Sequence, residues 1–512
     1  MVPCIPSFSN LGALTSKDGD LDKAAIIDLG TGKERRFSYR DFEEQANAVA
    51  RVLTARGFAH GDRIAILSAN RFEYLTTVHG IMRAGLVTVP VNFKFPPATI
   101  DYIVHDSGAK LLFCDAPRLD SAPKDLSCIC FDSGNGDIDF ASFLNPGPFT
   151  PTTPTDREPA MFLYTSGSTG RPKGVVLSHQ SHLWVVEQRM AAQDMTRHRF
   201  LVAAPLYHMN ALAISQLAHA AHATVILLPQ FTTQLYLKAL EDYHCTWLTA
   251  VPPMIAMMLN DKEHFAATDL SSVEYLRMGS APVSQSLMKA IHGALPKAAV
   301  TNAYGTTEGG PVVFGPHPKG LAQPEMSVGY PHPKVQVRLI AEDGTQGQVG
   351  VLEMKSPAIM NGYHNRPDVA SPITADGFYF TGDVFRRDEN GFHFFVGRTD
   401  DMFVSGGENI FPGEVEKMLE SYPDVIQACV VPVDDDIKGT KPVAFVVKRE
   451  ESDLDEAKLK AFALANAPAY QHPRSIWFVD SLPLASTNKL DRKTMRDMAA
   501  ERLPHRDTGL GS

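Results

Sequence analysis

Residues 164–174 read Tyr-Thr-Ser-Gly-Ser-Thr-Gly-Arg-Pro-Lys-Gly and combine glycines, hydroxyl groups and a lysine. Glycine lets the backbone approach a ligand closely, and successive N–H groups then form a nest for anions. The hydroxyls add donors, and the lysine adds a mobile positive charge. This composition favours binding of a polyphosphate, and the alternative is a flexible Gly/Ser surface turn. The candidate ligands are Thr165, Ser166, Gly167, Ser168, Thr169, Gly170 and Lys173.

This stretch is not a Walker A loop, in which four residues separate the first glycine from a Gly-Lys pair that opens a helix. Here Pro172 precedes Lys173, and the apolar run at 175–177 predicts a strand after the loop. Residues 161–164 predict another strand before it. The predicted arrangement is therefore strand, phosphate loop, strand, without the contribution of a helix dipole.

Two carboxylates follow further along the chain. Glu308 ends the stretch Tyr-Gly-Thr-Thr-Glu, and a carboxylate facing phosphates helps only through a cation such as Mg²⁺. Asp383 follows an aromatic run, and Arg398 comes fifteen residues later. An acidic residue at the end of a strand can accept the hydroxyl groups of a ribose. The alternatives are a solvated loop glutamate and a surface-turn aspartate.

These motifs resemble, in order and along nearly the whole chain, those of the adenylate-forming superfamily of acyl-CoA synthetases, luciferases and peptide-synthetase adenylation domains. In its motifs the chain is also similar to benzoate-type CoA ligases. It implies ATP, Mg²⁺ and coenzyme A as cofactors and a small carboxylic acid as substrate. It also implies catalytic roles for Lys489, Arg398, His208, Glu308 and Thr165. Without the resemblance, His208 would be taken as a structural residue, because it is one of 18 histidines. Lys489 would be taken as a solvated lysine, because it lies near the chain end.

Within the nucleotide site, the resemblance implies that Tyr304 stacks on adenine, Asp383 binds the ribose and Glu308 is linked to Mg²⁺. It also implies that Lys489 bridges the carboxylate and the α-phosphate, although Asn488 stands where the family pattern has glycine. Asparagine tolerates left-handed backbone better than most residues. The other implied nucleotide contacts are Gly279, Ser280, Ala281, Pro282, Asn302, Ala303, Gly305, Thr306 and Thr307.

The resemblance also implies a CoA site and an acyl pocket. The implied CoA contacts are Ser405, Gly406, Gly407, Glu408, Tyr470, His472, Arg474 and Lys94. The candidate walls of the acyl pocket are Trp184, His208, Met209, Asn210, Ser280, Ala303 and Gly310. The bulk of Trp184 and Met209 disfavours a long alkyl chain, and a buried Asn210 would need a polar partner. We therefore expect an aryl or substituted medium-length acid.

The sequence predicts that strands and helices alternate along the chain and position these residues. Apolar runs separated by helical patterns predict βαβ units and mostly parallel sheets, followed from about residue 336 by a small β-rich subdomain. The expected fold is therefore α/β with a compact α+β module at the C-terminus. The resemblance implies a hinge at Asp400, which divides the chain into residues 1–399, the adenylation domain, and 400–512, a mobile C-terminal domain.

Composition limits the function. A chain of 512 residues with 44% hydrophobic and 21% charged residues is an ordinary globular protein of at least two domains. Its net charge of −10 argues against nucleic-acid binding. No apolar run reaches membrane-spanning length, no secretory signal is visible, and six scattered cysteines favour a reducing compartment, so we expect the cytoplasm. The sequence leaves a monomer and a homodimer open.

The expected activity is an AMP-forming acid–thiol ligase that makes an acyl-adenylate and then an acyl-CoA thioester. One alternative is an adenylating enzyme that loads the phosphopantetheine of a carrier protein. A nucleotide-binding sensor without turnover is the other, and the complete set of motif residues disfavours it.

Overall fold

The computed structural model describes residues 7–16, 18–30, 32–165, 171–281, 283–435, 438–484 and 490–502. Seven of the predicted site residues lie outside these ranges, namely Ser166, Gly167, Ser168, Thr169, Gly170, Pro282 and Lys489. Within the described ranges, no helix combines the length and the apolar character that a membrane span requires.

The first quarter of the chain alternates strands and helices, as its hydrophobic periodicity predicts. The helix predicted at 42–53 lies inside α1, whose N-terminus Ser38 and Asp41 close with a reciprocal capping box. The helix predicted from residue 70 begins at Phe72 instead. The elements are β1 (Ala24–Asp28), β2 (Arg35–Ser38), α1 (Tyr39–Ala55), β3 (Arg63–Leu67), α2 (Phe72–Arg83), β4 (Val87–Pro90), α3 (Pro97–Asp106), β5 (Ala109–Cys114), β6 (Cys128–Cys130), β7 (Ile138–Asp139) and α4 (Phe140–Phe143).

A second α/β region follows, and most of its short strands are largely buried. Most of them end at a proline, a glycine or a polar residue, as the sequence predicts. The elements are β8 (Pro159–Thr165), β9 (Lys173–Ser178), α5 (His179–Ala192), β10 (Arg199–Val202), α6 (Met209–Ala220), β11 (Thr224–Leu227), α7 (Thr233–Asp242), β12 (Trp247–Ala250), α8 (Pro252–Asn260), α9 (Lys262–Ala267), β13 (Tyr275–Met278), α10 (Gln285–Ala294) and β14 (Ala299–Asn302).

The last third of the chain is richer in antiparallel strands. It contains first β15 (Phe314–Gly315), β16 (Tyr330–Pro331), β17 (Gln336–Ile340), β18 (Val349–Lys355), β19 (Gly362–His364), β20 (Tyr379–Arg387) and β21 (His393–Arg398). It then contains β22 (Phe403–Ser405), β23 (Glu408–Ile410), α11 (Pro412–Glu420), β24 (Val425–Asp435), β25 (Gly439–Lys448), α12 (Glu456–Asn466), β26 (Ile476–Phe478) and α13 (Arg492–Arg502).

Two large sheets form the N-terminal part. The seven-stranded sheet has the order β14-β13-β12-β10-β11-β1-β2, and only the β1–β2 pair is antiparallel. The eight-stranded sheet has the order β19-β9-β8-β4-β3-β5-β6-β7, in which β9 runs antiparallel to both of its neighbours, β8 and β19. Because neighbouring parallel strands end at the same edge, the residues after β10, β12, β13 and β14 lie close together.

Two smaller sheets complete the fold. β17, β18, β20 and β21 form a four-stranded antiparallel sheet, the predicted β-rich subdomain. The C-terminal residues form a five-stranded sheet in which β26 joins β25 in parallel. This C-terminal sheet and its helices have their own apolar cores. The predicted fold class, a large α/β part with parallel sheets and a small α+β part, is confirmed.

Candidate active site

Two paired strands flank the predicted phosphate loop in the chain. Thr165 at the end of β8 is the antiparallel partner of Lys173 at the start of β9, so the two residues close the loop. On its other side β9 pairs with β19, which brings Tyr363 beside the loop. The Lys173 ammonium lies 4.8 Å from the centre of the Tyr363 ring, and an aromatic face attracts such a cation. Lys173 is therefore positioned at the end of the loop.

Glu308 lies at the tip of a tight turn. The backbone of Thr306 pairs with Gly310 across this turn, and the Thr306 hydroxyl accepts a hydrogen bond of 2.8 Å from the Gly309 N–H. The Tyr363 hydroxyl donates to Glu308 Oε1 at 3.1 Å. Tyr363 thus contacts both Lys173 and Glu308, and it joins the turn to the phosphate loop.

Asp383 and Arg398 are cross-strand partners on β20 and β21. Arg398 Nη1 lies 3.2 Å from Asp383 Oδ1, and the Tyr304 hydroxyl donates to Asp383 Oδ2 at 2.5 Å. Asp383 is buried, whereas the side chain of Arg398 is 45% exposed and can reach a ligand. These contacts assemble, from distant parts of the sequence, the carboxylate, the arginine and the aromatic ring that the resemblance implies for a nucleoside.

The placement of Asp383 differs from the sequence prediction in one respect. Thr-Gly-Asp was expected to follow a short aromatic strand, but β20 continues through it. The Thr381 hydroxyl donates to the Leu352 carbonyl at 2.7 Å, and Gly382 supplies the left-handed φ of 71° that the chain needs there. Because partner strands lie on both sides of β20, pairing overrides the turn tendency of the three residues.

Tyr363 and Tyr379 are influenced by the carboxylates of the site. Burial raises the pKa of Tyr363 and of Tyr379, and the negative charge of Glu308 raises both further. The charge of Asp383 also contributes to the raised pKa of Tyr379. The charges of both carboxylates therefore act on Tyr379, and its hydroxyl stays protonated. The groups around Glu308 and Asp383 form one continuous polar site.

The turn after β13 borders this site. Ser280 adopts a left-handed φ of 66°, a strained conformation for a residue other than glycine. A Cβ on Gly279 would lie 3.0 Å from the Ala303 carbonyl oxygen, so a side chain there would press on the backbone after β14. The amide of Asn302 donates to the Met326 carbonyl at 3.3 Å. Gly279, Ala303 and Asn302 thus lie at adjoining strand ends, as predicted.

His208, Met209 and Asn210 lie at the N-terminus of α6, where all three are half-buried. The Tyr207 ring contacts the His208 ring at 4.6 Å and the Phe93 ring at 5.3 Å. Phe93 precedes Lys94 in the chain, so the candidate CoA residue Lys94 lies near the His208 turn.

A cavity of about 150 Å³ opens beside Lys94. Its lining combines strand-end residues such as Pro205 and Pro253 with Leu484 of the C-terminal region. Leu484 pairs through its backbone with Leu490, the residue after Lys489. The described ends of the segment that carries Lys489 therefore meet each other, and one of them contacts the N-terminal part at this cavity.

Comparisons with known proteins agree with this geometry. The AMP-binding enzyme family matches residues 15–364, and the AMP-binding enzyme C-terminal domain matches residues 414–489. The chain belongs to the AMP-binding enzyme family. The superfamily predicted from the motifs is thereby confirmed.

The relatives of this AMP-binding enzyme span nearly its whole length. Feruloyl-CoA synthase of Amycolatopsis sp is 32% identical over 466 residues, which are 90% of this chain and 93% of the relative. Fatty acid–[acyl-carrier-protein] ligase ScoC of Streptomyces coeruleorubidus is 30% identical over 488 residues, or 90% and 92% of the two chains. The ATP-bound crystal structure of MatB from Rhodopseudomonas palustris is 28% identical, with a TM-score of 0.84 over 96% of this chain and 98% of that one.

The candidate CoA residues lie in the C-terminal region of this AMP-binding enzyme. Residues 405–412 were expected to form a loop, but β22 and β23 make them a hairpin, in which Ser405 pairs with Glu408. Ser405 is buried, while Gly406, Gly407 and Glu408 are exposed at the turn.

The remaining CoA candidates form a second group. Arg474 is exposed and its Nη1 lies 3.4 Å from Nδ1 of the buried His472. Tyr470 packs partly against the C-terminal core. The assignment of these residues to CoA remains a prediction.

The candidate pocket walls fall into two groups. The Trp184 ring meets the His332 ring edge to face at 5.7 Å, on the side of the β-rich subdomain. Gly310 adopts a φ of 86°, and a Cβ there would lie 2.5 Å from that of Ala358. Met209 packs against the large N-terminal core instead.

Sequence reasoning missed four side chains, namely Tyr363, Tyr379, Arg189 and Arg277. Each lies in an ordinary strand or helix outside the recognised motifs. The Thr-Gly-Asp motif comes two residues after Tyr379, and Gly279 comes two residues after Arg277. Closeness in sequence to a motif was the one signal in the sequence, and it could have identified Tyr379 and Arg277.

Proposed function

We propose that this AMP-binding enzyme uses the site around Glu308 and Asp383 to join a carboxylic acid to coenzyme A at the expense of ATP. The observation that carries this proposal is the continuous polar site from Lys173 through Glu308 to Asp383 and Arg398. One end adjoins the phosphate loop, and the other has the carboxylate and aromatic ring suited to a nucleoside. The enzyme class, an acid–thiol ligase, agrees with its relatives.

In the first half-reaction, an oxygen of the substrate carboxylate attacks the α-phosphorus of ATP. The bond between that phosphorus and the bridging oxygen breaks, and pyrophosphate leaves with the electron pair. The protein positions the reactants and neutralises charge, which are the tasks of Lys173, Arg398 and Lys489. Asp383 binds the ribose, and its hydrogen bond from Tyr304 fixes the ring that stacks on adenine.

Magnesium fits the chemistry of this site. Among the described residues, no group of three or more His, Cys, Asp or Glu side chains could hold a metal ion. Mg²⁺, however, is usually held by one or two carboxylates together with water and the phosphates of the substrate. Glu308 supplies one carboxylate beside the phosphate loop, and the ion would neutralise phosphate charge when bound.

In the second half-reaction, the sulfur of the thiol attacks the carbonyl carbon of the acyl-adenylate. The bond from that carbon to the phosphate oxygen breaks, AMP leaves, and the thiol releases its proton. We infer that residues 400–512 turn about Asp400 between the halves, because the Lys489 segment and the 405–408 hairpin serve the same site in succession. The residues of the hairpin and the segment around His472 would then bind CoA.

Replacing Glu308 with glutamine is expected to raise the magnesium concentration needed for activity, because an amide is a weaker ligand than a carboxylate. Pyrophosphate release measured across a magnesium titration checks this. Glu325→Gln, which changes a partly exposed glutamate beside His292, is the matched control. A Glu308→Gln enzyme with the wild-type titration curve would make Glu308 an ordinary turn residue.

A carrier protein remains the second candidate for the thiol, because the relative ScoC is a ligase for an acyl-carrier protein. The test gives the enzyme ATP, a panel of aryl and medium-length acids, and either CoA or a holo carrier protein. We expect thioester formation with CoA. Thioester formation on the carrier alone would favour the rival. A chain that releases no pyrophosphate with any acid would contradict both functions.

A further inference from the structure

Two arginines converge beside the candidate acyl pocket, and neither has an acidic partner among the described residues. Arg189 lies near the end of α5, and Arg277 lies on β13. Nη2 of Arg189 donates to the Pro311 carbonyl at 3.2 Å, and Nη2 of Arg277 donates to the same oxygen at 3.1 Å. We call these two residues the arginine pair. Both are half-buried, so neither is a freely solvated surface charge.

The arginine pair differs from Arg83 and Arg492, whose side chains are also largely shielded from solvent. Arg83 binds Glu43, and Arg492 binds Glu416. For the arginine pair, none of the ion pairs among described residues supplies a carboxylate. Burial lowers the pKa of Arg189 to about 10. Burial also lowers the pKa of Arg277, and the positive charge of Arg189 lowers it further. The surroundings therefore disfavour both charges.

The pair makes few hydrogen bonds within the described protein. Each guanidinium carries five N–H donors, yet one carbonyl oxygen is their shared acceptor among the described residues. Thr249 is the neighbour of Arg277 in the parallel register of β12 and β13, so their side chains leave the same face of the sheet. The Thr249 hydroxyl is buried and has no partner within the described ranges. Polar groups from three side chains thus lie in the same part of the fold, and the Thr249 hydroxyl among them is buried without a described partner.

The position of this region points to the acid rather than to the nucleotide. Arg277 precedes the Gly279–Ser280 turn, and Pro311 follows Gly310. Ser280 and Gly310 are candidate walls of the acyl pocket. One arginine would be enough to hold the Pro311 carbonyl, and a second brings a repulsive charge that a purely structural role does not explain.

We propose that the arginine pair binds a second carboxylate of the substrate, so that the acid activated by this enzyme is a dicarboxylic acid. A guanidinium fork matches the two oxygens of a carboxylate, and an anion between the two arginines would remove their repulsion. The Thr249 hydroxyl is a further donor for it. This inference rests on the proposed function and narrows its substrate class.

The test compares acids that differ only in the second carboxylate. The panel pairs butanoate with butanedioate, hexanoate with hexanedioate, and benzoate with the benzenedicarboxylates, and pyrophosphate release gives kcat/KM. A site built to bind a polar group rejects analogues that lack it by about 10⁴-fold, so we expect at least one dicarboxylate to exceed its partner by about 10²-fold or more. A wild-type enzyme that prefers the monocarboxylate of every pair would overturn the proposal.

Arg277→Met tests the residue itself. We expect kcat/KM for the preferred dicarboxylate to fall by about 10²-fold or more while the KM for ATP stays unchanged. Arg277→Lys should recover part of this loss, because it keeps the charge. Arg197→Met is the matched control, since it removes an arginine from an exposed ion pair with Glu274 and should leave the panel unchanged.

Thermal unfolding separates recognition from a structural role. Without substrate, Arg277→Met should keep or exceed the wild-type Tm, because it removes a charge that none of the described carboxylates neutralises. The dicarboxylate should raise the Tm of the wild type but not that of the variant. A lower Tm with an unchanged order of acids would show that Arg277 only supports the Pro311 loop.

If no acid of any kind releases pyrophosphate, the proposed function itself fails. Thioester formation from monocarboxylates alone refutes only the arginine-pair proposal.

Discussion

Lys489→Ala is expected to slow adenylate formation by about 10²–10³-fold, because the charge that develops at the α-phosphate loses a positioned cation. Thioester formation from synthetic acyl-adenylate and CoA is expected to survive. The two half-reactions, assayed separately, give the result.

The described residues that flank the segment of Lys489 support this separation. Leu490 pairs with Leu484, which lines the cavity beside Lys94. Leu484, the last described residue before the segment that carries Lys489, therefore lies beside the N-terminal part. Lys493→Ala changes an exposed lysine on α13 and should affect neither half-reaction. An equal loss in both half-reactions of Lys489→Ala would mean that Lys489 has a structural role.

Asp400→Pro is expected to leave adenylate formation intact and to slow transfer of the acyl group to CoA. Hinges consist of a few residues that absorb large changes of φ and ψ. Proline fixes φ near −65° and restricts Thr399 as well, so the C-terminal region would be held away from its second position. Since small misplacements of reacting groups cost about 10² in rate, we expect a loss of that order in the second half-reaction.

The structure allows this test to be specific. Asp400 lies between β21 and β22, and within the described ranges its N–H donates no backbone hydrogen bond that proline would remove. Its carboxylate lies 3.6 Å from Arg398 Nη2, so the substitution also removes a charge. Asp400→Ala removes the same charge without restricting φ and should keep both half-reactions. Normal transfer by Asp400→Pro would place the hinge elsewhere or show that no rotation occurs.

The alternation of strands and helices could be predicted because its cause is local. The apolar run before the phosphate loop became β8, the run after it became β9, and the helix predicted at 42–53 became part of α1. Turn residues at strand ends marked the edge where Gly279 and Ala303 meet. Such features depend on hydrophobic periodicity and on glycine, both of which are visible in the sequence.

The contacts that complete the site could not be predicted because they join distant residues through strand register. Tyr363 reaches Lys173 and Glu308 only because β19 pairs with β9. Asp383 lies within β20 because partner strands flank it. Of the arginine pair, Arg189 lies on a helix and Arg277 lies on a strand of the seven-stranded sheet. Neither arginine belongs to a motif. Register and layer packing are properties of the whole fold.

The transfer of oxygen from the acid to AMP tests the central claim most directly. The enzyme is given ATP, CoA and its preferred acid, in which both oxygens of the reacting carboxylate are ¹⁸O. Mass spectrometry then measures the ¹⁸O content of the products. If the carboxylate attacks the α-phosphorus, each AMP carries one ¹⁸O for each thioester formed. Unlabelled AMP, or label recovered in orthophosphate together with ADP, would contradict an acyl-adenylate and with it the proposed mechanism.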